Sequence, residues 1–204
     1  MFEYKNLKIN FHPLVYEPSE DTFLLAKALE EAMAKLPANA EALEIGTGTG
    51  IISLLLSKKC KTVLGTDINQ YALNLARENA ETNAIDNVEF IFSNLFTGIQ
   101  KNKHFDFIIF NTPYLPTGKE DDVVNKTELM RAWEGGKHGR KIIDKFLEGS
   151  IKHLKLKGKI IMVESSLSEY HKTIEFFKKN NFDAKVIAYQ KFDFEELVVI
   201  EAIS

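Results

Sequence analysis

The chain has 204 residues, 45% of them apolar and 27% charged, with a formal net charge of −3. That is the profile of an ordinary globular protein with length enough for one well-buried domain, and it offers no general attraction to phosphate backbones or anionic membranes. The single cysteine, Cys60, excludes an internal disulfide and suits a reducing compartment. No apolar run approaches the roughly 20 residues that span a bilayer. Met1 to Asn10 alternates charged and apolar residues and lacks the apolar core of a signal peptide, so the expected location is cytoplasmic.

In chain order, Ser19 is placed to cap a helix that runs to about Leu36, with Phe23, Leu24, Ala28 and Leu29 on its apolar face and Pro37 ending it. A short buried strand follows at Ala42 to Ile45, then a glycine-rich turn into a helix from Ile51. Thr62 to Thr66 reads as a strand ending at Asp67, and Gln70 to Thr82 as a helix. Val88 to Phe92 and Phe105 to Phe110 are two more strands, the second apolar almost throughout, as in a strand covered on both faces. The polar stretch Leu115 to Gly136 is long for a loop inside a compact domain. Lys137 to Leu156 reads as a helix, Gly158 to Val163 as a strand and Leu167 to Asn180 as a helix. Two strands, Ala184 to Gln190 and Glu195 to Ala202, close the chain as a hairpin. Alternation of strands and helices predicts a layered α/β sheet, and with no linker in sight residues 1–204 are expected to form a single domain.

Three elements point to a nucleoside-like ligand. Gly46, Gly48 and Gly50 lie between a strand and a helix, where the backbone turns tightly and comes close to a ligand. Their Gly-x-Gly-x-Gly spacing differs from the dinucleotide fingerprint, and Glu44 stands two positions before them. A buried Glu44 needs donors, from the loop N–H groups or from a cationic amino-acid moiety. Asp67 ends the next strand, 21 positions after Gly46, where a carboxylate accepts both ribose hydroxyls. Asn94 and Leu95, just past the third strand, are placed to meet an adenine edge with a side-chain amide and a backbone N–H. Together they favour S-adenosylmethionine over NAD.

Asn111-Thr112-Pro113-Tyr114 follows the fourth strand and is expected to face the methyl donor. The Asn111 side-chain oxygen and the Thr112 carbonyl can accept the two hydrogens of a substrate –NH2. Pro113 stiffens the turn, and Tyr114 offers a flat face to a planar amide or base. An amide nitrogen is a poor nucleophile, so fixing it for in-line attack is the main catalytic resource, amounting to roughly 7–11 kcal/mol in ideal cases.

These residues resemble the HemK/PrmC family of protein-glutamine N5-methyltransferases, closest to its short archaeal and eukaryotic branch. Glu17-Pro18-Ser19-Glu20-Asp21-Thr22, the glycine loop, Thr66-Asp67-Ile68-Asn69 and the tetrapeptide stand in the family's order. So does Trp133-Glu134-Gly135-Gly136-Lys137-His138-Gly139-Arg140, which looks like the family's Trp-x-Gly-Gly-x-x-Gly-Arg segment. The resemblance implies a Rossmann-like class I fold, with a seven-stranded, mostly parallel sheet, a C-terminal antiparallel hairpin and helices on both faces. It places Thr22, Glu44, Gly46, Asp67, Asn94, Leu95 and Asn111 on cofactor-contacting positions, and residues 1–40 as an N-terminal helix and lid segment. The implied substrate is the glutamine of the Gly-Gly-Gln loop in a class I translation release factor. A small zinc-binding activator subunit is implied as partner, and Val88 to Phe92 as an apolar sheet edge to receive it. Two positions depart from the family: Thr112 replaces a proline, which costs the turn stiffness, and Asn94 replaces an aspartate. The N-terminal helical domain of the long bacterial branch is not expected here.

Two other readings stay open. Amino methylation of nucleic acid, at adenine N6, cytosine N4 or guanine N2, uses the same tetrapeptide logic, although little chain follows Tyr114 for base flipping. A cofactor-binding scaffold subunit that has lost turnover is the other. Lysine methylation has less need of a planar clamp. The five histidines are scattered without ligand spacing, and no metal site is expected. Trp133 reads as a packing anchor, Arg140 as either a surface charge or a substrate contact, and Lys152, Lys155, Lys157 and Lys159 as a solvated face.

Overall fold

The computed structural model describes residues 1–37, 39–115 and 139–204. Its organising element is the apolar run Phe105–Asn111, strand β6. Along it, Phe107 and Ile109 point to one face of the sheet and Ile108 and Phe110 to the other, and all four are buried. A strand of period 2 that is apolar on both sides must be covered on both sides. The first face carries α1 (Glu20–Met33), α2 (Ile51–Ser57) and α3 (Gln70–Thr82); the second carries α4 (Lys141–His153) and α5 (Tyr170–Lys179).

The other strands of this sheet are β3 (Glu41–Ile45), β4 (Thr62–Asp67), β5 (Val88–Phe92), β7 (Leu154–Ser165), β8 (Asp183–Lys191) and β9 (Glu196–Ile203). Among the described residues the sheet has seven strands in the order β5-β4-β3-β6-β7-β9-β8. The five from β5 to β7 are parallel, and β9 and β8 pair antiparallel. This is the expected Rossmann-like class I architecture with its terminal hairpin. β5 lies at the sheet edge, as expected, with Phe90 buried and the apolar ring of Phe92 60% exposed.

The helix expected to start at Ser19 does so with Ser19 extended, but its hydroxyl bonds Glu20 rather than capping a backbone N–H, and the helix ends at Met33. The expected helix 137–156 is α4, and its last turn is already strand. Leu154 pairs with Phe105, and then the partners shift to Phe107 and Lys159. Left-handed Lys157, at φ 62°, turns that bulge. Lys155 and Lys159 are not simply solvated: Lys155 Nζ bonds Glu41 (2.8 Å) and Asp106 (2.9 Å), and Lys159 lies 3.7 Å from Glu201. Before α5 the chain makes a 3-10 turn, Ser166–Ser168, capped by Ser165.

A small hairpin near the N-terminus was not expected. β1 (Phe2–Tyr4) and β2 (Leu7–Ile9) pair around Lys5 and Asn6, both at positive φ, the two-residue turn that suits strand twist. The outer edge of β2 meets side chains instead of a strand. Asn83 accepts from the Lys8 N–H (2.8 Å) and donates to its carbonyl (2.7 Å), and Asn79 does the same for Asn10 (2.8 and 3.3 Å). Because Asn79 in α3 and Asn83, the residue that caps its C-terminus, are four apart and stack on one face, two asparagines mimic a strand pairing with alternate residues. Asn79 also donates to Thr49 O (2.9 Å), so the same amide touches the glycine loop. Among the described residues no helix is long and apolar enough to cross a membrane.

Candidate active site

β3 and β6 are neighbours, but the chain leaves β3 toward β4 and β5 on one side and returns to β6 on the other. Such a reversal of strand order leaves a crevice beyond the strand ends. The loop 46–50 opens into it, with Gly46, Gly48 and Gly50 all at positive φ (68°, 53° and 83°). Gly50 shows why a side chain is excluded: a Cβ there would sit 2.9 Å from the Ala76 Cβ of α3. The loop is pinned by Thr47 N–H to Thr66 O (2.9 Å) and by Gly48 N–H to Asp67 Oδ2 (3.0 Å).

Glu44 is buried at the end of β3, and one of its oxygens, Oε2, accepts from Thr47 Oγ1 (2.8 Å), Ser53 N–H (2.9 Å) and the Ser53 hydroxyl. Burial nevertheless pushes its carboxyl up to about 8, against the opposing pull of those bonds. Asp67 Oδ1 accepts from Asn69 N–H (2.8 Å). Past β5 the turn is set by buried Ser93, whose hydroxyl accepts from Gly98 N–H and donates to Leu95 O. It leaves Asn94 exposed and Leu95 left-handed at φ 51°.

At the end of β6 the Asn111 amide nitrogen donates to Asp21 Oδ2 (3.1 Å) and Thr22 Oγ1 (3.3 Å). Asp21, itself buried, accepts at its other oxygen from Tyr16 OH (3.2 Å), Thr22 N–H (2.6 Å) and Thr22 Oγ1 (3.1 Å). The carboxylate can only accept, so it dictates which way the amide faces. Asn111 Oδ1 is thereby left buried with no hydrogen-bond partner among the described residues. Such an atom is costly unless something completes it. Thr112 is buried and its hydroxyl donates to Val163 O (2.6 Å), a tether to β7 that restores the stiffness expected to be lost with proline. Pro113 and Tyr114 are half-buried. Burial, with the charges of Asp21, Glu195 and Glu20, pushes the Tyr114 phenol up.

Gly139 returns the chain to this site. At φ 70°, a Cβ there would meet Tyr114 O at 2.2 Å, so no other residue fits. Next to it Arg140 is buried, neither a surface charge nor placed as a substrate contact. Its guanidinium bonds Asp144 (2.7 Å), Thr173 (3.0 Å), Ser168 O (2.9 Å) and Glu164 (3.4 Å). Arg140→Ala strands the buried Glu164 carboxylate, and we expect a loss of about 3–5 kcal/mol in urea unfolding. A loss under about 1 kcal/mol, the worth of a surface pair, would show that the hub is not load-carrying. Trp133 and the rest of 133–138 lie outside the described residues.

One cleft gathers Thr22, Glu44, Gly46, Gly48 and Asn111, with Tyr16, Thr47 and Ile51 among the other residues of its wall. Asp67 joins through Gly48; Gly50, Asn94 and Leu95 do not line it. Tyr16, Asp21, Thr47 and Ser53 are the supporting residues that spacing alone did not mark. Asp21 sits inside the Glu17–Thr22 motif, which was its one available signal.

Residues 18–135 match the methyltransferase small domain family. Over 203 residues, 99% of this chain and 98% of the relative, the sequence is 41% identical to a putative protein N5-glutamine methyltransferase of Methanocaldococcus jannaschii. It is 32% identical over 184 residues, covering 82% of this chain and 80% of the relative, to the eRF1 methyltransferase catalytic subunit mtq2 of Schizosaccharomyces pombe. Among solved structures, the E. cuniculi Mtq2–Trm112 complex, responsible for methylation of the eRF1 translation termination factor, matches with a TM-score of 0.71 at 24% identity. That match covers 93% of this chain and 98% of the other, and it is a likeness of fold.

Proposed function

The chain belongs to the HemK-type family of protein-glutamine methyltransferases, and from that premise we propose that it methylates the side-chain amide of the glutamine in the Gly-Gly-Gln loop of a class I translation release factor. The observation that carries the reading is Asn111 Oδ1, a buried acceptor held facing outward by Asp21, at the strand end beside the cofactor cleft.

The residues of that cleft fit S-adenosylmethionine. A carboxylate at Glu44 matches a cationic amino-acid moiety, Asp67 stands beside the loop as a carboxylate suited to a ribose diol, and the glycine loop presents bare backbone. When bound, S-adenosylmethionine supplies a methyl group on a sulfonium sulfur. Asn111 Oδ1 and the Thr112 carbonyl accept the two amide hydrogens of the substrate, which aims the nitrogen lone pair. Tyr114 lies against the amide plane. No side chain has to act as a base, because the nitrogen sheds its proton to solvent once it has gained a carbon. Glu20 and Asp21 nearby repel phosphate, which favours a protein over a nucleic-acid substrate.

We assign a small zinc-binding activator subunit to the β5 edge, where Phe92 is exposed. A substrate in the translation machinery puts the protein in the cytoplasm. The test is transfer of label from S-adenosylmethionine to a purified release factor and to its Gly-Gly-Ala variant, with and without the activator. We expect label on the first alone, mapped to the glutamine. Equal labelling of both, or labelling of RNA instead, would overturn the assignment.

A further inference from the structure

Although the chain carries a net charge of −3, that charge is unevenly spread between the two ends of the sheet. The reacting end holds Glu20, Asp21, Asp67 and Glu195. The opposite end, where the five parallel strands begin, is basic. There Lys103 and Lys155 hold Glu41, and Lys155 also holds Asp106 (2.9 Å). Hydrogen bonds from the two lysines bring the Glu41 carboxyl down to about 2. Two cations and two carboxylates thus make a neutral platform where β3, β6 and β7 begin.

Around that platform stand six further lysines: Lys58, Lys59 and Lys61 before β4, Lys101 before β6, Lys152 at the end of α4 and Lys157 on the bulge of β7. All six are exposed, and none forms an ion pair among the described residues. Lys58 Nζ donates to a carbonyl, Lys5 O (2.8 Å), which does not offset its charge. Among the described residues of the loops that lead into the five parallel strands, Asp86 before β5 is the one exposed carboxylate. A cation at a helix C-terminus complements the helix dipole, which accounts for Lys58 and Lys152 but not for Lys61, Lys101 and Lys157 in their loops. The positive charge at this end therefore calls for an anionic partner.

We propose that this end of the sheet is a docking surface for double-helical RNA, held by its phosphates without regard to sequence. The entrances to β4 and β7 lie three strand spacings apart, about 14 Å. A double helix of B-DNA spacing carries about eight phosphate charges in that length, whereas an extended acidic peptide has about four side chains. His104 is the one exposed ring among the described residues of these loops, so a stacking platform for single strands is missing. Leu156, 85% exposed, is the one large apolar side chain exposed there, too little to anchor on a membrane. RNA is chosen among nucleic acids on the reading that the substrate is a translation factor. Because the surface and the reacting crevice lie at opposite ends of the strands, RNA held at one leaves the other open to protein.

The experiment reads binding of the full chain to a fluorescent RNA duplex of about 20 base pairs by anisotropy, across a salt series. With about four phosphates contacted at once, affinity should fall about a hundredfold between roughly 50 and 200 mM salt. The triple variant Lys61→Gln, Lys101→Gln, Lys157→Gln keeps side-chain length and removes three charges. It should bind at least about tenfold more weakly at the low salt and flatten the log–log salt slope by about 2. Lys27→Gln, Lys141→Gln, Lys145→Gln removes as much charge elsewhere and should stay within about threefold of wild type. Equal losses in the two variants, wild-type binding weaker than about 10⁻⁴ M at the low salt, or phosphatidylserine vesicles or polyglutamate bound as tightly as RNA overturns the surface. Methyl transfer to the release factor is read separately and should be unchanged in the first variant. Lysine-dependent RNA binding without label on the release factor supports the surface and counts against the proposed substrate instead.

Discussion

Asn111→Ala should lower kcat for methyl transfer by about 10²–10³-fold, the usual cost of deleting one preorganised polar contact to the reacting group. Its side-chain oxygen is the buried, unpartnered acceptor of the site, and nothing else among the described residues stands in for it. The more telling variant is Asp21→Ala, which leaves Asn111 in place. Asp21 is the group that forces the amide NH2 inward. Without it the amide can turn over and offer its NH2 to the substrate's own NH2, two donors face to face. We expect a kcat loss of about 10- to 100-fold, smaller than for Asn111→Ala because the correct orientation is still sampled. KM for the substrate should move less than kcat, since orientation matters most in the transition state. A kcat for Asp21→Ala within about threefold of wild type, in a variant of unchanged melting temperature, would refute the clamp.

The ligand-free protein should lose thermal stability as pH rises from about 5 to about 8, and Glu44→Gln should flatten most of that slope above about pH 7. Burial raises the Glu44 carboxyl from 4.5 to about 8 in the folded state. Between those values the unfolded chain has released the proton and the folded chain still holds it. The folded state binds more protons, so stability falls with rising pH and is fully present below the unfolded value. Glu164 acts in the same direction over a narrower window: burial lifts it to about 7, outweighing its neighbour Arg140. Melting temperatures of wild type, Glu44→Gln and Glu164→Gln across this range separate the two. If neither substitution changes the slope, both carboxyls are ionised in the folded protein and the burial argument is wrong. A cationic ligand beside Glu44 favours the ionised form, so cofactor binding should release protons below about pH 8.

The parts of the fold legible in the sequence were those with strong periodicity. Phe105–Asn111 could be nothing but a strand covered on both faces, and the two closing strand-like runs with short polar turns around them announced a hairpin. The β1–β2 hairpin escaped because three-residue strands carry too few side chains for a pattern and their turn, Lys5-Asn6, lacks glycine. The boundary at Leu154 escaped because Leu-Lys-Leu-Lys suits a helix end as well as a strand, and the left-handed Lys157 that decides it leaves no trace in composition. At the site, the residues we propose to meet ligands were readable from their spacing after strands. Those that hold them were not: Arg140 is a charge turned inward, and Ser53 and Asp21 act across nine and ninety positions of chain.

The asparagine pairing along β2 has a consequence for how copies of this protein treat one another. A strand with a bare edge is a template on which another chain can add, and a hairpin of two short strands has two such edges. In β2 that edge is occupied by Asn79 and Asn83, which satisfy the backbone groups of Lys8 and Asn10 without being a strand themselves. Helix side chains cannot propagate a ladder, so the sheet stops there. The two asparagines act as a terminator, closing by chemistry a surface that would otherwise recruit a neighbour.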